Sequence, residues 1–113
     1  MKGDEMLNNN PSNGFSHVVG DTSEPLSEQT IPELLARTVS AFPEREAVVF
    51  PTQDIRWTWA EFARQVDRLA GGLFSLDIKK GDRVGIWSPN RIEWIMTQFA
   101  TARIGAILVC INP

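Results

Sequence analysis

The sequence predicts an α/β fold, in which a short β-hairpin and helices precede a βαβ unit of a mainly parallel sheet. Two observations predict it. Residues 80–113 contain a short apolar run, a helical pattern that opens after Pro89 and Asn90, and a second apolar run at residues 106–111. That second run is apolar on both faces, which is typical of a strand with a layer on either side. Since 113 residues supply too little chain for those layers, we expect the fold to be incomplete.

The chain divides into two parts of different composition. Residues 1–29 are rich in Asn, Ser, Gly, Asp and Glu and show no sustained periodicity, so we expect a flexible leader. From Thr30 onward the apolar pattern is dense. Residues 30–113 are therefore expected to be the ordered but truncated part of a larger domain.

The first helix is predicted to begin at Thr30, where Glu33 can complete a capping box, and to end at Pro43. Its apolar stripe comprises Ile31, Leu34, Leu35, Val39 and Phe42. Residues 47–50 and 55–58 then form two short strand-like runs with four residues between them. This spacing predicts an antiparallel hairpin.

The second helix follows another capping box, formed by Thr58 and Glu61. Its apolar stripe at helical spacing comprises Phe62, Ala63, Val66, Leu69, Ala70, Leu73 and Phe74. Gly71 and Gly72 each cost about 1 kcal/mol relative to Ala inside a helix, so we expect them to pack closely against a neighbouring backbone. Gly81 is expected to supply a left-handed turn before the next strand.

The helix of the βαβ unit is predicted to be capped by Asn90, with Glu93 reaching back to complete the box. Gly105 ends it, and Arg103 lies where it favours the negative end of the helix dipole. The single cysteine, Cys110, falls in the closing apolar strand. We expect it to be a buried, inert thiol.

Composition excludes several classes of function. The formal net charge of −3 gives no electrostatic reason to expect nucleic acid as a partner, and the adjacent Lys79 and Lys80 are interpreted as a solvated turn. No apolar run approaches the roughly 18 residues of a transmembrane helix. Residues 1–20 lack the apolar core of a secretion signal. The expected location is therefore cytoplasmic.

The motifs of most enzyme classes are absent. His17, the only histidine, lies in the leader, so neither a metal site nor a Ser–His–acid triad is expected. Ser88 follows a strand, but its neighbours do not match a nucleophile elbow, and we interpret it as a turn serine. Glycine-rich dinucleotide and phosphate loops are missing, and the acidic residues are scattered. No catalytic, cofactor-binding or metal-binding residue is assigned.

Four tryptophans are many for this length: Trp57, Trp59, Trp87 and Trp94. They could pack in the core, stack on an adenine or line an acyl tunnel. We expect Trp59 and Trp87 to lie in the core. Trp94 stays open between these roles, because it lies off the main apolar stripe of its helix.

The order of these signals resembles the start of the adenylate-forming acyl-CoA synthetases, the AMP-binding ligase superfamily. The matching pieces are residues 42–47 (FPEREA), 57–62 (WTWAEF), 80–84 (KGDRV), 88–90 (SPN) and 105–113 (GAILVCINP). No single piece is specific, whereas their order and spacing together are. The closing Ile-Asn-Pro is most similar to the medium- and long-chain fatty-acyl branch.

The resemblance implies the N-terminal portion of an acyl-CoA synthetase-like large domain. It also implies a two-step reaction, in which a fatty acid attacks the α-phosphorus of Mg·ATP and coenzyme A then displaces AMP. For the intact enzyme it implies ATP and Mg²⁺ as cofactors and fatty acid and coenzyme A as substrates. The family's phosphate loop, nucleotide contacts and catalytic lysine have no counterpart in this sequence, so we expect the 113-residue chain alone to be inactive and to bind no cofactor.

A second hypothesis belongs to another functional class. The chain could be a small stand-alone α/β binding or interaction module that dimerises through its last strand. Both hypotheses expose apolar surface on the monomer. A reading frame that continues past Pro113 into a phosphate loop would favour the ligase, and a stop codon with a soluble dimer would favour the module.

Overall fold

The computed structural model describes residues 20–112 and has the predicted α/β architecture. Residues 20–29 are exposed and form no helix or strand, and the rest of the predicted leader lies outside the described residues. The elements, in chain order, are α1 (Ile31–Ala41), β1 (Glu46–Phe50), a 3₁₀ turn (Pro51–Gln53), β2 (Ile55–Thr58), α2 (Trp59–Ser75), β3 (Arg83–Ile86), α3 (Ile92–Ile104) and β4 (Ile107–Cys110).

Two of the three predicted capping boxes form, and the one predicted at Asn90 does not. The Thr30 amide donates to the Glu33 carboxylate at 2.7 Å, and the Thr58 amide donates to the Glu61 carboxylate at 2.9 Å. β1 and β2 pair antiparallel as predicted, with Phe50 opposite Ile55. Because Thr58 both ends β2 and caps α2, the hairpin leads into the helix without a loop.

The core lies among α1, α2 and α3, beneath the hairpin. Its buried members are Leu35, Phe62, Val66, Ala70, Ile92 and Ala100. Phe62 is 1% exposed, and its ring meets Trp59 and Phe99 edge to face with centroids 6.3 and 5.4 Å away. Trp59 packs against this cluster, which confirms its predicted place in the core. The contacts join the hairpin, α2 and α3 into one body.

A polar side chain is also buried in α3. Thr101 is 1% exposed, and its hydroxyl donates to the carbonyl oxygens of Thr97 at 2.8 Å and Gln98 at 3.1 Å. The hydroxyl is thus satisfied within its own helix.

The predicted βαβ unit is confirmed. β3 pairs parallel with β4, from Arg83 opposite Ile107 to Ile86 opposite Cys110, and α3 is the crossover. Gly81 has the predicted left-handed backbone, with φ of 90°, and Gly105, with φ of 74°, ends α3 as predicted. These two turns let the chain enter β3 and leave α3 at the same edge of the sheet, since the Gly81 amide donates to the Gly105 carbonyl at 2.9 Å.

Two expectations about α2 are wrong. Phe74, predicted in the apolar stripe, is 68% exposed, whereas its neighbour Leu73 packs against the core, so Phe74 lies on the outer side of the helix. Gly71 and Gly72 are exposed, and a Cβ atom built on either would meet nothing within 4 Å. They do not serve close packing against a neighbouring backbone, so their cost to the helix is uncompensated by such contacts.

One face of β4 is largely open. Ile107, Val109 and Ile111 alternate along it and are between 41% and 48% exposed. On the opposite face, Leu108 and Ala106, the residue just before β4, line a groove together with residues of α3. Within residues 20–112, helix α3 covers one face of the parallel pair. The other face, which carries Ile107, Val109 and Ile111, has no comparable cover from the described elements.

Candidate ligand cleft

An open cleft of about 640 Å³ lies at the carboxyl ends of the two parallel strands. Its walls are the turn between β3 and α3, the first turns of α3, and the end of β4. The lining residues are Ser88, Pro89, Asn90, Trp94, Cys110, Ile111 and Asn112. Ligands of open α/β sheets bind outside the carboxyl ends of the strands, so this is the position at which such a fold most readily accepts one.

The side chains that line the cleft include the Ser88 hydroxyl and the Cys110 thiol, and none of the lining residues is a histidine, a carboxylate or an amine. The Ser88 hydroxyl donates to the carbonyl oxygen of Pro89 at 3.0 Å, a contact within the turn. Asn90 and Asn112 add neutral amide donors and acceptors, and Trp94 and Ile111 add apolar surface. His17 lies outside the described residues. The interpretation of Ser88 as a turn serine agrees with this geometry.

Two expectations for side chains near the cleft are wrong. Cys110 is exposed instead of buried, and Trp87 is 73% exposed instead of lying in the core. Trp87 directly follows β3 and Cys110 is the last residue of β4, so both lie at the carboxyl ends of the strands, where the cleft opens. Apolar character along the sequence therefore overestimated their burial.

Trp94 is partly buried and lies between two cavities. It lines the main cleft, and it also borders a groove of about 280 Å³ between α1, α3 and β4. Cys110 borders both cavities as well. The side chain that the sequence left open thus faces a recess and not the packed core.

The N-terminus of α3 is capped differently from the prediction. The helix begins at Ile92 after Arg91, whose side chain makes no capping hydrogen bond, and Asn90 does not cap it. The Ile92 amide instead donates to Oε1 of Gln53 at 2.9 Å, and Nε2 of Gln53 donates to the two carboxylate oxygens of Glu93 at 3.0 and 3.3 Å. Sequence reasoning missed Gln53 because the contact joins residues 39 positions apart.

Glu93 is the most strongly perturbed ionisable group described near the cleft. The guanidinium of Arg91 lies 3.2 Å from its carboxylate. This hydrogen bond is the largest cause, and a backbone hydrogen bond and Gln53 add to it, lowering the pKa of Glu93 to about 2. The carboxylate is therefore ionised at neutral pH, at the helix end where the macrodipole favours a negative charge.

Among residues 20–112, no group of three or more His, Cys, Asp or Glu side chains is placed to hold a metal ion. No helix in the same part of the chain has the length and apolar character needed to cross a bilayer.

Comparison with protein-family models gives one match, described as AMP-binding enzyme, over residues 35–113. The chain belongs to the AMP-binding enzyme family. The family member from zebrafish (Danio rerio) named medium-chain acyl-CoA ligase ACSF2, mitochondrial, is 47% identical over 103 residues, which cover 91% of this chain and 17% of that protein. The human protein of the same name is 44% identical over 103 residues, with the same coverage.

Solved structures of the family agree with these matches. A Mycobacterium tuberculosis fatty acyl CoA synthetase superposes with a TM-score of 0.71 at 35% identity, covering 74% of this chain and 16% of that one. The predicted resemblance and fold are thereby confirmed. The 113-residue chain spans about a sixth of the length of the curated relatives it matches.

The expected cytoplasmic location is wrong. The zebrafish and human relatives are both named as mitochondrial proteins. The lack of a secretion signal and of a long apolar run does not distinguish a cytoplasmic protein from one in an organelle.

Proposed function

We propose that this chain is the N-terminal portion of the large domain of an AMP-forming fatty-acyl-CoA ligase. The observation that supports it most directly is the 47% identity to a medium-chain acyl-CoA ligase over 91% of the chain. We further propose that residues 30–113 are the truncated domain and residues 1–29 its leader. The intact protein is proposed to be mitochondrial, like the zebrafish and human relatives.

In the intact ligase, the carboxylate oxygen of a fatty acid attacks the α-phosphorus of ATP, and pyrophosphate leaves. The sulfur of coenzyme A then attacks the acyl carbon, a thioester forms, and AMP leaves. We assign Mg·ATP to no residue of this chain, because its described residues form no cluster of metal-ligating side chains and its sequence has no phosphate loop. In this proposal residues 30–113 form scaffold and one wall of a cleft.

The open face of β4 supports a portion of a larger domain. Parallel strands occur almost only in sheets covered on both faces, whereas Ile107, Val109 and Ile111 remain 41–48% exposed here. A covering layer would bury this apolar surface, and each Å² buried would stabilise the domain by about 25 cal/mol. We therefore propose that the isolated 113-residue chain does not activate fatty acids.

A chimera tests the proposed function. The aligned 103 residues of the zebrafish ligase are replaced by their counterparts from this chain, and octanoyl-CoA formation from octanoate, ATP and coenzyme A is measured. We expect the chimera to retain activity and the purified 113-residue chain to release no octanoate-dependent pyrophosphate. A matched chimera with Phe62→Asp in the core is expected to be inactive.

Two results would contradict these proposals separately. A folded chimera without thioester formation would refute the assignment to the ligases. Octanoate-dependent pyrophosphate release by the 113-residue chain would refute its inactivity.

The exposed β4 face also favours a second candidate, a stand-alone module that dimerises through its last strand. Size-exclusion chromatography with light scattering separates the two. A soluble, cooperatively melting dimer that Val109→Lys converts to monomer would support the module.

A further inference from the structure

We infer that Gln53 is a positioning residue for the cleft. From the hairpin loop it holds the first turn of α3, and that turn forms one wall of the cleft. The inference depends on the contacts of Gln53 and not on ligase activity, so the two proposals can fail independently.

The contacts of Gln53 occupy both ends of its amide group. Oε1 accepts from the Ile92 amide at 2.9 Å, and Nε2 donates to the Glu93 carboxylate at 3.0 and 3.3 Å. The Ile92 amide is one of the donors that a helix N-terminus leaves without an intrahelical partner. The neighbouring Arg91 provides no side-chain cap. Gln53 therefore does for α3 what a local cap does for α1 and α2.

Gln53 and its hydrogen bonds to Ile92 and Glu93 form a clamp between the hairpin and α3. The turn that carries Gln53 is itself held in place. The Asp54 amide donates to the Pro51 carbonyl at 3.2 Å, and Asp54 adopts a left-handed backbone with φ of 53°, which closes the turn that presents Gln53. The residues that flank the turn, Phe50 and Ile55, pair across the hairpin and pack against the core. The amide of Gln53 is thus anchored to the core on one side and to α3 on the other.

The clamp acts where the cleft wall begins. Asn90 lies two residues before Ile92 and Trp94 lies two residues after it, and both line the cleft. The Trp94 amide donates to the Arg91 carbonyl at 3.1 Å, so Trp94 moves with the clamped turn. Loss of Gln53 would leave the Ile92 amide without its partner and would release the turn from the hairpin.

The rival explanation is that Gln53 only adds to the overall stability of the chain. In that case its removal would weaken every protected amide alike. A positioning role predicts a local effect, confined to the start of α3 and to Trp94.

Amide hydrogen exchange of the ¹⁵N-labelled 113-residue chain separates these explanations. Gln53→Leu removes the donor and the acceptor at similar size. We expect the Ile92 amide to exchange about tenfold faster or more, since it loses its hydrogen-bond partner. The Trp94 indole resonance should shift, and the Val66 amide in α2 should keep its protection. Thr52→Ala, at the exposed neighbouring position in the loop, is the matched control and should change none of the three.

An exchange of partners supplies the second variant. Gln53→Glu alone places two carboxylates together and should loosen the turn as Gln53→Leu does. Adding Glu93→Gln gives position 93 an amide that donates to the new carboxylate at position 53, which can also accept from the Ile92 amide. Arg91, the charged group that contacts Glu93, can pair with the relocated charge. We expect the double variant to regain the Ile92 protection and the Trp94 resonance.

The outcomes decide the inference in either direction. A local loss in Gln53→Leu together with rescue by the double variant supports it. An unchanged Ile92 amide, a uniform loss that includes Val66, or a folded double variant without rescue would overturn it. If Gln53→Leu does not fold, the comparison of Gln53→Glu with the double variant gives the same decision.

Discussion

Replacing Phe62 by leucine should destabilise the chain far more than the same replacement at Phe74, although both lie on α2. Phe62 is 1% exposed and Phe74 is 68% exposed. The structure therefore provides two phenylalanines in one helix with opposite surroundings, and each is the control for the other.

The expected size of the effect follows from the contacts of Phe62. Leucine keeps much of the buried volume but loses the edge-to-face pairs with Trp59 and Phe99. Such pairs contribute about 0.5–1.5 kcal/mol each, so Phe62→Leu should lower the free energy of unfolding by about 1–3 kcal/mol. In a domain of this size that lowers Tm by roughly 4–24 °C. Phe74→Leu should stay within about 0.5 kcal/mol of the parent chain.

Thermal melts followed by far-ultraviolet circular dichroism measure both shifts under the same conditions, and urea titration gives the free energies. Equal shifts for the two variants would refute the position of the core. A larger shift for Phe74→Leu would show that the outer end of α2 is covered in solution.

Two further predictions concern a glycine pair and a carboxylate. Gly105→Ala should destabilise the chain by about 1–2 kcal/mol, because the left-handed φ of 74° disfavours a Cβ and that atom would lie 3.0 Å from Cγ of Lys80. Gly72→Ala, with open space around it, should stabilise the chain by about 0.5–1 kcal/mol. Urea titrations measure both changes; a stable Gly105→Ala variant would contradict the first prediction, and a destabilised Gly72→Ala variant would contradict the second. The carboxylate of Glu93 should titrate near pH 2 by NMR, and since its pKa is lowered on folding, its contribution to stability should be complete above about pH 4.5 and be lost as the pH falls toward 2. Glu93→Gln should remove that part of the pH dependence, and an ordinary glutamate titration would contradict the clamp geometry.

Most features that depend on residues close in sequence were predictable, although the capping box predicted for Asn90 and Glu93 did not form. The capping boxes at Thr30 and Thr58 each join residues three positions apart, and Gly105 ends α3 through its own backbone angles. The parallel pairing of β3 with β4 followed from the helical spacing between two apolar runs. In each case the physical cause lies within one turn of chain or one crossover.

Features that depend on distant residues were not predictable. Gln53 caps α3 across 39 positions, and no local pattern marks a loop glutamine for that purpose. The exposure of Trp87, Cys110 and Phe74 depends on which layers surround each element, and periodicity does not contain that information. The cleft likewise arises because the parallel pairing brings the turn between β3 and α3 next to the end of β4. Composition suggested tryptophan as a wall residue, but only the fold selects Trp94.

The hydrogen bonding of Thr101 affects which side chains can pack against α3. Since both hydrogen bonds of its hydroxyl stay within the helix, this buried polar group needs no hydrogen-bond acceptor from α2 or from any other element. Surfaces opposite Thr101 can exchange one aliphatic side chain for another without stranding a donor. At this position, the packing of α3 against its neighbours therefore depends on the shapes of the side chains and not on matching polar groups.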